Sequence, residues 1–219
     1  MKASSVILDA LKDMDNTGTL EAEKKMDLYA GKDIRMTADT HREENGQGHT
    51  TAISKRGAAS VTGKESSLTM TAGKDIHLQA ARISSAGDMT IAGKRQVELG
   101  TAVAEKDNRV TWDRSNDRRD STAMETGSTL TAGRNLTVEN GKEITDLEEH
   151  HRHKEKGLLS SKTTTTYDEV KRTDTTGSIV EGDTLTMTAG KDISLTGSVA
   201  ASTKETALSA GRNISIHAA

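Results

Sequence analysis

Residues 70–78 read Met70-Thr71-Ala72-Gly73-Lys74-Asp75-Ile76-His77-Leu78, and the middle of this segment recurs along the chain. The shared core is Ala-Gly, a basic residue, Asp or Asn, and an aliphatic residue. Its five copies are Ala30-Gly31-Lys32-Asp33-Ile34, Ala72-Gly73-Lys74-Asp75-Ile76, Ala132-Gly133-Arg134-Asn135-Leu136, Ala189-Gly190-Lys191-Asp192-Ile193 and Ala210-Gly211-Arg212-Asn213-Ile214. Internal repeats of this kind indicate a repeat architecture.

Aliphatic residues flank each glycine with the period of two that a half-buried strand requires. Three residues before the glycines stand Leu28, Met70, Leu130, Met187 and Leu208. Three residues after them stand Ile34, Ile76, Leu136, Ile193 and Ile214. Because Gly, Asp and Asn suit tight turns, each unit is predicted to be a strand, a turn and a second strand with its aliphatic residues on one side.

A sixth copy fits the same frame if Lys94 takes the place of the turn glycine, with Ile91 and Val97 in the aliphatic positions. The 21 residues from Gly73 to Lys94 equal the 21 residues from Gly190 to Gly211. A period near twenty predicts an all-β fold, a parallel β-helix (β-solenoid) whose coils stack about 4.8 Å apart. About eleven coils would give a rod roughly 50 Å long, or less if the charged segments bulge out of the stack, with a degenerate coil expected between Gly31 and Gly73.

Three polar segments interrupt the repeat at residues 37–60, 103–122 and 145–176. Their alternation of Thr and charged residues favours protruding β-arms or hairpins over mobile loops. Residues 1–219 are therefore predicted to be a single β-helix segment of a larger protein. Since both ends of a solenoid expose unpaired backbone, further coils of the parent, or another copy of the segment, are expected to cover them.

The composition excludes several classes of protein. The 219 residues contain no Phe, Pro or Cys, one Trp and two Tyr, and their formal net charge is -3. Nucleic acid is not an expected partner, because the 30 basic residues are balanced by 33 acids and give no overall basic field, and aromatic stacking platforms are nearly absent. No apolar run approaches the roughly twenty residues that span a bilayer, and acids interrupt any signal-peptide pattern at the start. If the parent protein is exported, its signal is therefore expected outside these residues.

The C-terminal third carries a family resemblance. The segments Lys156-Gly157-Leu158-Leu159-Ser160-Ser161-Lys162, Thr176-Gly177-Ser178 and Thr196-Gly197-Ser198, together with the last two repeat copies, resemble the haemagglutinin-repeat region of filamentous-haemagglutinin-like exoproteins. That family includes the effectors of contact-dependent growth inhibition. The resemblance is close over residues 145–219 and weaker over residues 18–144.

The resemblance implies a right-handed parallel β-helix in a very long protein, secreted to the bacterial cell surface by two-partner secretion. Such proteins act as adhesins, or as filaments that deliver a C-terminal toxin to a neighbouring cell, and these repeats are associated with crossing the target's outer membrane. The target-cell or outer-membrane surface is then an expected partner. The absence of Cys is compatible with export through an oxidising periplasm.

Enzymatic and metal sites have weak support in the sequence. His150, His151 and His153 lie beside Glu148 and Glu149, but neighbouring residues on a strand point to opposite faces, so a solvated arm is expected rather than a zinc site. No metal, cofactor or catalytic residue is predicted, and the chain is expected not to be an enzyme. The alternative is a polysaccharide-degrading β-helix hydrolase or lyase, which would need carboxylates or basic residues converging in one groove.

Two aromatic residues are candidate contacts. Trp112 lies in the charged segment 103–122, and Tyr167 lies in the segment 145–176. A lone aromatic in a polar arm either anchors a partner or pins the arm to the rod.

Overall fold

The computed structural model describes residues 2–113, 116–140, 143–147 and 167–217, with side chains described for residues 3–109, 120–138 and 177–217. Every regular element in these ranges is a β-strand. The strands are β1 (Lys2–Ala10), β2 (Met14–Asn16), β3 (Thr19–Ala30), β4 (Ile34–Thr37), β5 (Asp39–Asn45), β6 (Gly48–Lys55), β7 (Ala58–Val61), β8 (Ser67–Ala72), β9 (Asp75–Gln79), β10 (Arg82–Ser85), β11 (Asp88–Gly93), β12 (Gln96–Gly100), β13 (Ala102–Asp113), β14 (Asn116–Thr126), β15 (Thr129–Ala132), β16 (Asn135–Asn140), β17 (Glu143–Leu147), β18 (Tyr167–Thr176), β19 (Ile179–Ala189), β20 (Asp192–Thr196), β21 (Val199–Ala210) and β22 (Asn213–His217).

Most of these strands stack in parallel, in three columns around one axis. The first column is made by β7, β10 and β15 with the first halves of β1, β3, β19 and β21. The second is made by β8, β11 and β16 with the second halves of the same four long strands. The third is the sheet β2-β4-β9-β12-β17-β20-β22. This arrangement confirms the parallel β-helix.

Each coil therefore turns three corners. The first corner joins the first column to the second, the second corner joins the second to the third, and the third corner leads into the first column of the next coil. The described residues contain seven coils, which makes the stack about 30 Å long at the usual spacing of strands. The stack is shorter than the roughly 50 Å of eleven coils, as expected if charged segments leave the stack, because the arms take up part of the sequence.

Gly31 and Gly73 lie on adjacent coils, so the degenerate coil expected between them does not exist. The Gly73 amide donates directly to the Ala30 carbonyl at 2.8 Å. The residues between the two coils leave the stack as an antiparallel hairpin of β5 and β6. Spacing alone does not distinguish an extra coil from an extruded hairpin of similar length.

The interior of the stack is aliphatic. Ten residues of the predicted core are fully buried, namely Leu28, Ile34, Met70, Ile76, Ile91, Val97, Leu130, Leu136, Met187 and Ile193. Leu208 is partly buried and packs against this core, and Ile214 is 46% exposed. Ile214 was expected in the core, but it belongs to the last described coil, where no described strand covers its outer side.

One repeat copy occupies a different corner from the one expected. Leu136 pairs with Met89 and Leu185 in the second column, and not with the third-column series that contains Ile76. Leu130 likewise pairs with Ile83 and Val180 in the first column. Gly133 therefore lies at the first corner. Both corners join two short strands through a similar polar turn, so the same sequence motif fits either corner.

The sequence alignment missed two copies of the motif that forms the second corner. Residues 10–14, Ala10-Leu11-Lys12-Asp13-Met14, form this corner in the first coil, and Met14 pairs with Ile34. In the fifth coil Glu143 and Ile144 pair with Gln96 and Val97, which places the start of β17 after the corner that Gly133 was expected to form. The signal in both cases is the aliphatic residue that follows the acid.

The hairpins all leave the stack at the third corner and form a second sheet. Its strand order is β18-β14-β13-β6-β5. The β5/β6 and β13/β14 pairs are antiparallel, β6 pairs antiparallel with β13, and β14 pairs parallel with β18. We call this second sheet the lateral sheet. The predicted arm 37–60 contains the β5/β6 hairpin, and the predicted arm 103–122 covers most of the β13/β14 hairpin. Of the third predicted arm, residues 148–166 lie outside the described residues.

Candidate functional site

The glycines at the second corner allow the coils to approach closely. The amides of Gly31, Gly73 and Gly211 donate to Ala10, Ala30 and Ala189 on the coil below, at 2.8, 2.8 and 3.0 Å. A Cβ atom on any of the three would overlap a carbonyl oxygen of that coil. In the fourth coil Lys94 occupies the glycine position, and its amide donates to Ala72 at 3.1 Å. The remaining predicted turn residue, Gly190, begins the corner between β19 and β20.

Ion pairs join successive coils at the same corner. The Arg95 guanidinium donates to both oxygens of Asp75 on the coil below, and Arg212 does the same to Asp192. These hydrogen bonds are the main reason that the pKa values of Asp75 and Asp192 lie below the usual range. Each acid therefore stays charged and ties its coil to the next one.

The first corner repeats this device, which explains why Gly133-Arg134-Asn135 fits there. Arg134 donates to Asp88 on the coil below at 2.8 Å, and the Asn135 amide donates to the same carboxylate at 3.3 Å. At the second corner, in the segment Gly211-Arg212-Asn213, the Arg212 side chain and the Asn213 backbone amide both donate to Asp192 in the same way. Arg followed by Asn thus marks a coil that lies above an Asp, whichever corner it occupies.

The third corner holds the roots of the arms, and sequence reasoning missed its residues. Arg56, at the end of the first hairpin, donates from Nε to the Ala80 carbonyl at 2.6 Å and from Nη2 to the Gly127 carbonyl at 2.7 Å. Burial lowers the pKa of Arg56. This side chain therefore ties the root of the first arm to the next plain corner and to the root of the second arm.

Buried serines complete these roots. Ser128 donates from Oγ to the Leu78 carbonyl at 2.8 Å, and its amide donates to the Ser178 Oγ at 3.2 Å. Both serines are buried, and each follows a glycine whose Cβ would overlap the adjacent coil. The detectable signal is the triplet Thr-Gly-Ser, which occurs at 126–128, 176–178 and 196–198. It marks the return of the chain to the first column.

The lateral sheet presents a five-stranded surface outside the stack. An open depression of about 630 Å³ lies on it between β6, β13 and β14, and it is lined by Ile53, Lys106 and Met124 among others. Met124 is 52% exposed. The edge strand β5 is exposed at every position and rich in charge, which disfavours uncontrolled pairing with other strands. The described part of this surface combines the charged strand β5 with a small apolar patch at Ile53 and Met124.

Several sequence candidates are only partly placed. Trp112 lies near the end of β13 and Tyr167 begins β18, and the side chains of both lie outside the described residues. The cluster of Glu148, Glu149, His150, His151 and His153 lies outside them altogether. Within the described part of the chain no group of three or more His, Asp or Glu side chains is arranged to hold a metal ion.

The acids of the corner ion pairs are each neutralised by a basic side chain. Asp75, Asp88 and Asp192 lie on different coils, and each is paired with an arginine. In the described ranges no helix is long and apolar enough to cross a bilayer.

The class of protein defined by this fold is a parallel β-helix with a lateral sheet of extruded arms. The comparisons with known families agree with this class. A family model described as "Hemagglutinin repeat" matches residues 157–219. This match confirms the resemblance of the C-terminal part of the chain to the haemagglutinin-repeat region of filamentous-haemagglutinin-like exoproteins.

Two curated relatives extend the comparison. The "tRNA nuclease CdiA" of Escherichia coli (strain STEC_O31) is 25% identical over 253 aligned residues, which cover 98% of this chain and 8% of the relative. The "16S rRNA endonuclease CdiA" of Enterobacter cloacae is 37% identical over 95 residues, which cover 41% of this chain and 3% of the relative. The chain thus spans less than a tenth of either relative. No solved structure matches the chain significantly.

Proposed function

We propose that this chain is a non-enzymatic β-helical filament segment of a large secreted exoprotein of the contact-dependent growth inhibition type, serving adhesion, delivery of a C-terminal toxin to a neighbouring cell, or both. The single observation that carries the proposal is the stack of coils tied by corner ion pairs, in a chain that aligns over 98% of its length with a CdiA protein. The nuclease activities named for the relatives would lie elsewhere in the parent. The parent would be secreted and displayed on the bacterial surface.

The stack and the lateral sheet would have different roles. The stack supplies length and stiffness, because each coil is bound to the next by backbone ladders and ion pairs. The lateral sheet supplies the surface that is free to meet a target-cell or outer-membrane partner, and a role in translocation across that membrane would fall to it. Further coils of the parent would cover the two ends of the stack, and isolated chains are expected to associate through those ends or through arm strands.

The test uses a chimera in which this chain replaces the aligned segment of the Escherichia coli relative. Two variants remove one arm each by deleting residues 39–55 or residues 103–125. A plain third corner already exists at Ala80-Ala81, so the stack can close without an arm. Glu44→Ala, an exposed substitution on the first arm, serves as the matched control.

The proposal expects the chimera to be displayed on the producing cell and to inhibit target cells in mixed culture. The arm deletions should preserve display and reduce inhibition at least tenfold, while Glu44→Ala should change neither. Equal inhibition by a parent that lacks the whole segment would contradict a delivery role. Turnover of any bacterial or host polysaccharide by the purified chain would instead support the hydrolase or lyase alternative.

A further inference from the structure

The first two arms have separate roots and meet along part of their length. The first arm returns to the stack at β7, the second leaves it after β12, and the plain corner at Ala80-Ala81 lies between the two roots. The ladder that joins the arms pairs residues 48–51 of β6 with residues 105–108 of β13. We call these two segments the arm junction. The lateral sheet holds the two arms together through this ladder.

A glycine allows the two arms to approach closely at the arm junction. A Cβ atom on Gly48 would overlap the carbonyl oxygen of Asp107 on the second arm. Next to it, the Arg109 amide donates to the Gln47 carbonyl at 2.6 Å. A side chain at position 48 would push β6 away from β13, so the residue type at this position is matched to the contact between the arms.

His49 brings a buried and unpaired nitrogen to the arm junction. Its Nε2 atom is buried and has no hydrogen-bond partner among the described residues. A carboxylate oxygen of Glu105, on the other arm, lies 3.6 Å from this nitrogen, which is beyond the usual hydrogen-bond range of about 2.7–3.2 Å. Because Nε2 is shielded from water, only a protein group can satisfy it, and Glu105 is the acceptor placed to do so.

Acids outnumber bases around His49 on the two strands that flank β6 in the lateral sheet. Residues that are directly opposite, or two positions further along, share one face of a sheet. On β5 this places Glu44 and Arg42 on the face of His49, and Arg42 donates to Glu44 at 2.8 Å. On β13 it places Glu105, Asp107 and Arg109 there. Three acids and two bases leave one negative charge, which a proton on the imidazole would balance.

We propose that His49 makes the arm junction pH-dependent, and that uptake of a proton by its imidazole tightens the contact between the first and second arms. A protonated Nε2 must donate, and a charge-assisted hydrogen bond to Glu105 is stronger than a neutral one. Histidine gains its charge between about pH 8 and pH 5, and the tight junction takes up the proton, so acidification over this range favours it. The proposal does not depend on the role assigned above to the whole segment.

The experiment measures amide hydrogen exchange in the complete 219-residue chain at about pH 7.5 and about pH 5.5. Each exchange rate is divided by the rate of an unstructured peptide at the same pH, which gives a protection factor. The protection of the amides in residues 48–51 and 105–108 should rise about fivefold to thirtyfold at the lower pH, as one charge-assisted hydrogen bond would produce. The protection of the amides of β8, inside the stack, should stay the same and serves as the internal reference.

Two variants each remove one side of the proposed contact. His49→Gln keeps an N–H donor that gains no charge, and Glu105→Gln keeps the shape of the acid without its charge. Each should reduce the pH effect at the arm junction to less than about twofold, because a neutral hydrogen bond contributes less. His41→Gln is the matched control, since His41 lies 3.5 Å from Glu43 in an exposed pair on the same arm. This control should keep the full pH effect.

The other outcomes overturn the proposal. Protection at the arm junction that is unchanged or lower at the acidic pH would show that proton uptake does not tighten it. A rise that persists in His49→Gln or in Glu105→Gln would assign the pH effect to another group. A rise of the same size in β8 would show that the whole chain responds to pH, and that the arm junction does not respond separately.

Discussion

The coil stack and the lateral sheet are made of similar Thr-rich strands, but they are stabilised in different ways. In β8 of the stack, Leu68, Met70 and Ala72 are buried and the residues between them face outward. In β5 of the lateral sheet every residue is exposed. A strand inside the stack forms backbone hydrogen bonds along both edges and buries its aliphatic side chains, whereas the outermost strand of the lateral sheet is hydrogen-bonded along one edge. Strand propensity is thus shared, and burial separates the two regions.

The largest expected effect comes from the interior of the stack. Ile76→Ala removes a fully buried side chain and should lower the stability of the chain by about 2–5 kcal/mol. Ile53→Ala, in the lateral sheet, removes a partly exposed side chain and should cost less than about 1 kcal/mol. Urea unfolding followed by circular dichroism gives both values. Equal losses would mean that the lateral sheet is as well packed as the stack.

The corner glycines should show the next largest contrast. Gly73→Ala forces a Cβ against the Gly31 carbonyl of the coil below and should cost about 1–3 kcal/mol, as overpacking does. Gly46→Ala, at the tip of the first arm, meets nothing within 4 Å and should change stability by less than about 1 kcal/mol. Thermal melts of the two variants test this. A neutral Gly73→Ala would show that the corner can open without loss.

Arg56, at the root of the first arm, links the lateral sheet to the stack. Replacing it should therefore destabilise the strands next to the root more than the rest of the stack. Arg56→Lys keeps the charge, but a single ammonium group does not reproduce the two hydrogen bonds to Ala80 and Gly127. Hydrogen exchange should accelerate at least tenfold in β6 and β7 and stay unchanged at the buried amides of β20. Arg42→Lys, on the exposed arm, is the control. Equal acceleration of hydrogen exchange along the whole chain would show that the effect of Arg56 is not confined to the root of the first arm.

The smallest effect is the acid dependence of the corner ion pairs. The hydrogen bond from Arg95 holds the pKa of Asp75 below its usual value of 3.8, and Lys204 and Arg212 lower the pKa values of Asp183 and Asp192 in the same way. Since the folded pKa is the lower one, this stabilisation is present above the usual value. It is lost as the pH falls through the folded pKa.

Melting temperatures recorded from neutral pH down to acid therefore distinguish the two regions. Asp75→Asn should cost about 1 kcal/mol at neutral pH and should flatten the fall of melting temperature in acid. Glu44→Gln breaks an exposed ion pair with Arg42 on the arm and should leave the profile unchanged. A parent-like acid profile for Asp75→Asn would show that the corner pairs do not tie the coils.

The sequence predicted the interior of the stack well, because aliphatic periodicity reports burial directly. Leu28, Ile34, Met70 and Ile76 were assigned to the interior from spacing alone, and all four are fully buried. The assignment of Gly133 to a corner was wrong in its column, since two corners of one coil accept the same motif. Leu11 in the glycine position of the first coil hid that copy from the alignment.

The candidate sites were harder to predict than the core. Arg56 and Ser128 are far apart in sequence from the carbonyl groups to which they donate, and no local pattern predicts which carbonyls these are. Arg56 reaches a carbonyl 71 residues away, which becomes a neighbour only when the hairpins are extruded. Such contacts depend on which segments leave the stack and which stay in it.

By itself, the sequence determined that this chain is a β-helix. Short strands with alternating aliphatic residues, repeated about every twenty residues, bury those residues when each repeat forms one coil of a parallel stack. Only the tertiary structure decided which column each copy occupies, how many coils there are, and that the arms leave one corner to form a common sheet. The physical reason is the range of the interactions. Alternation and tight turns are properties of adjacent residues, whereas register between coils and between arms is fixed by hydrogen bonds that join residues 20 to 71 positions apart.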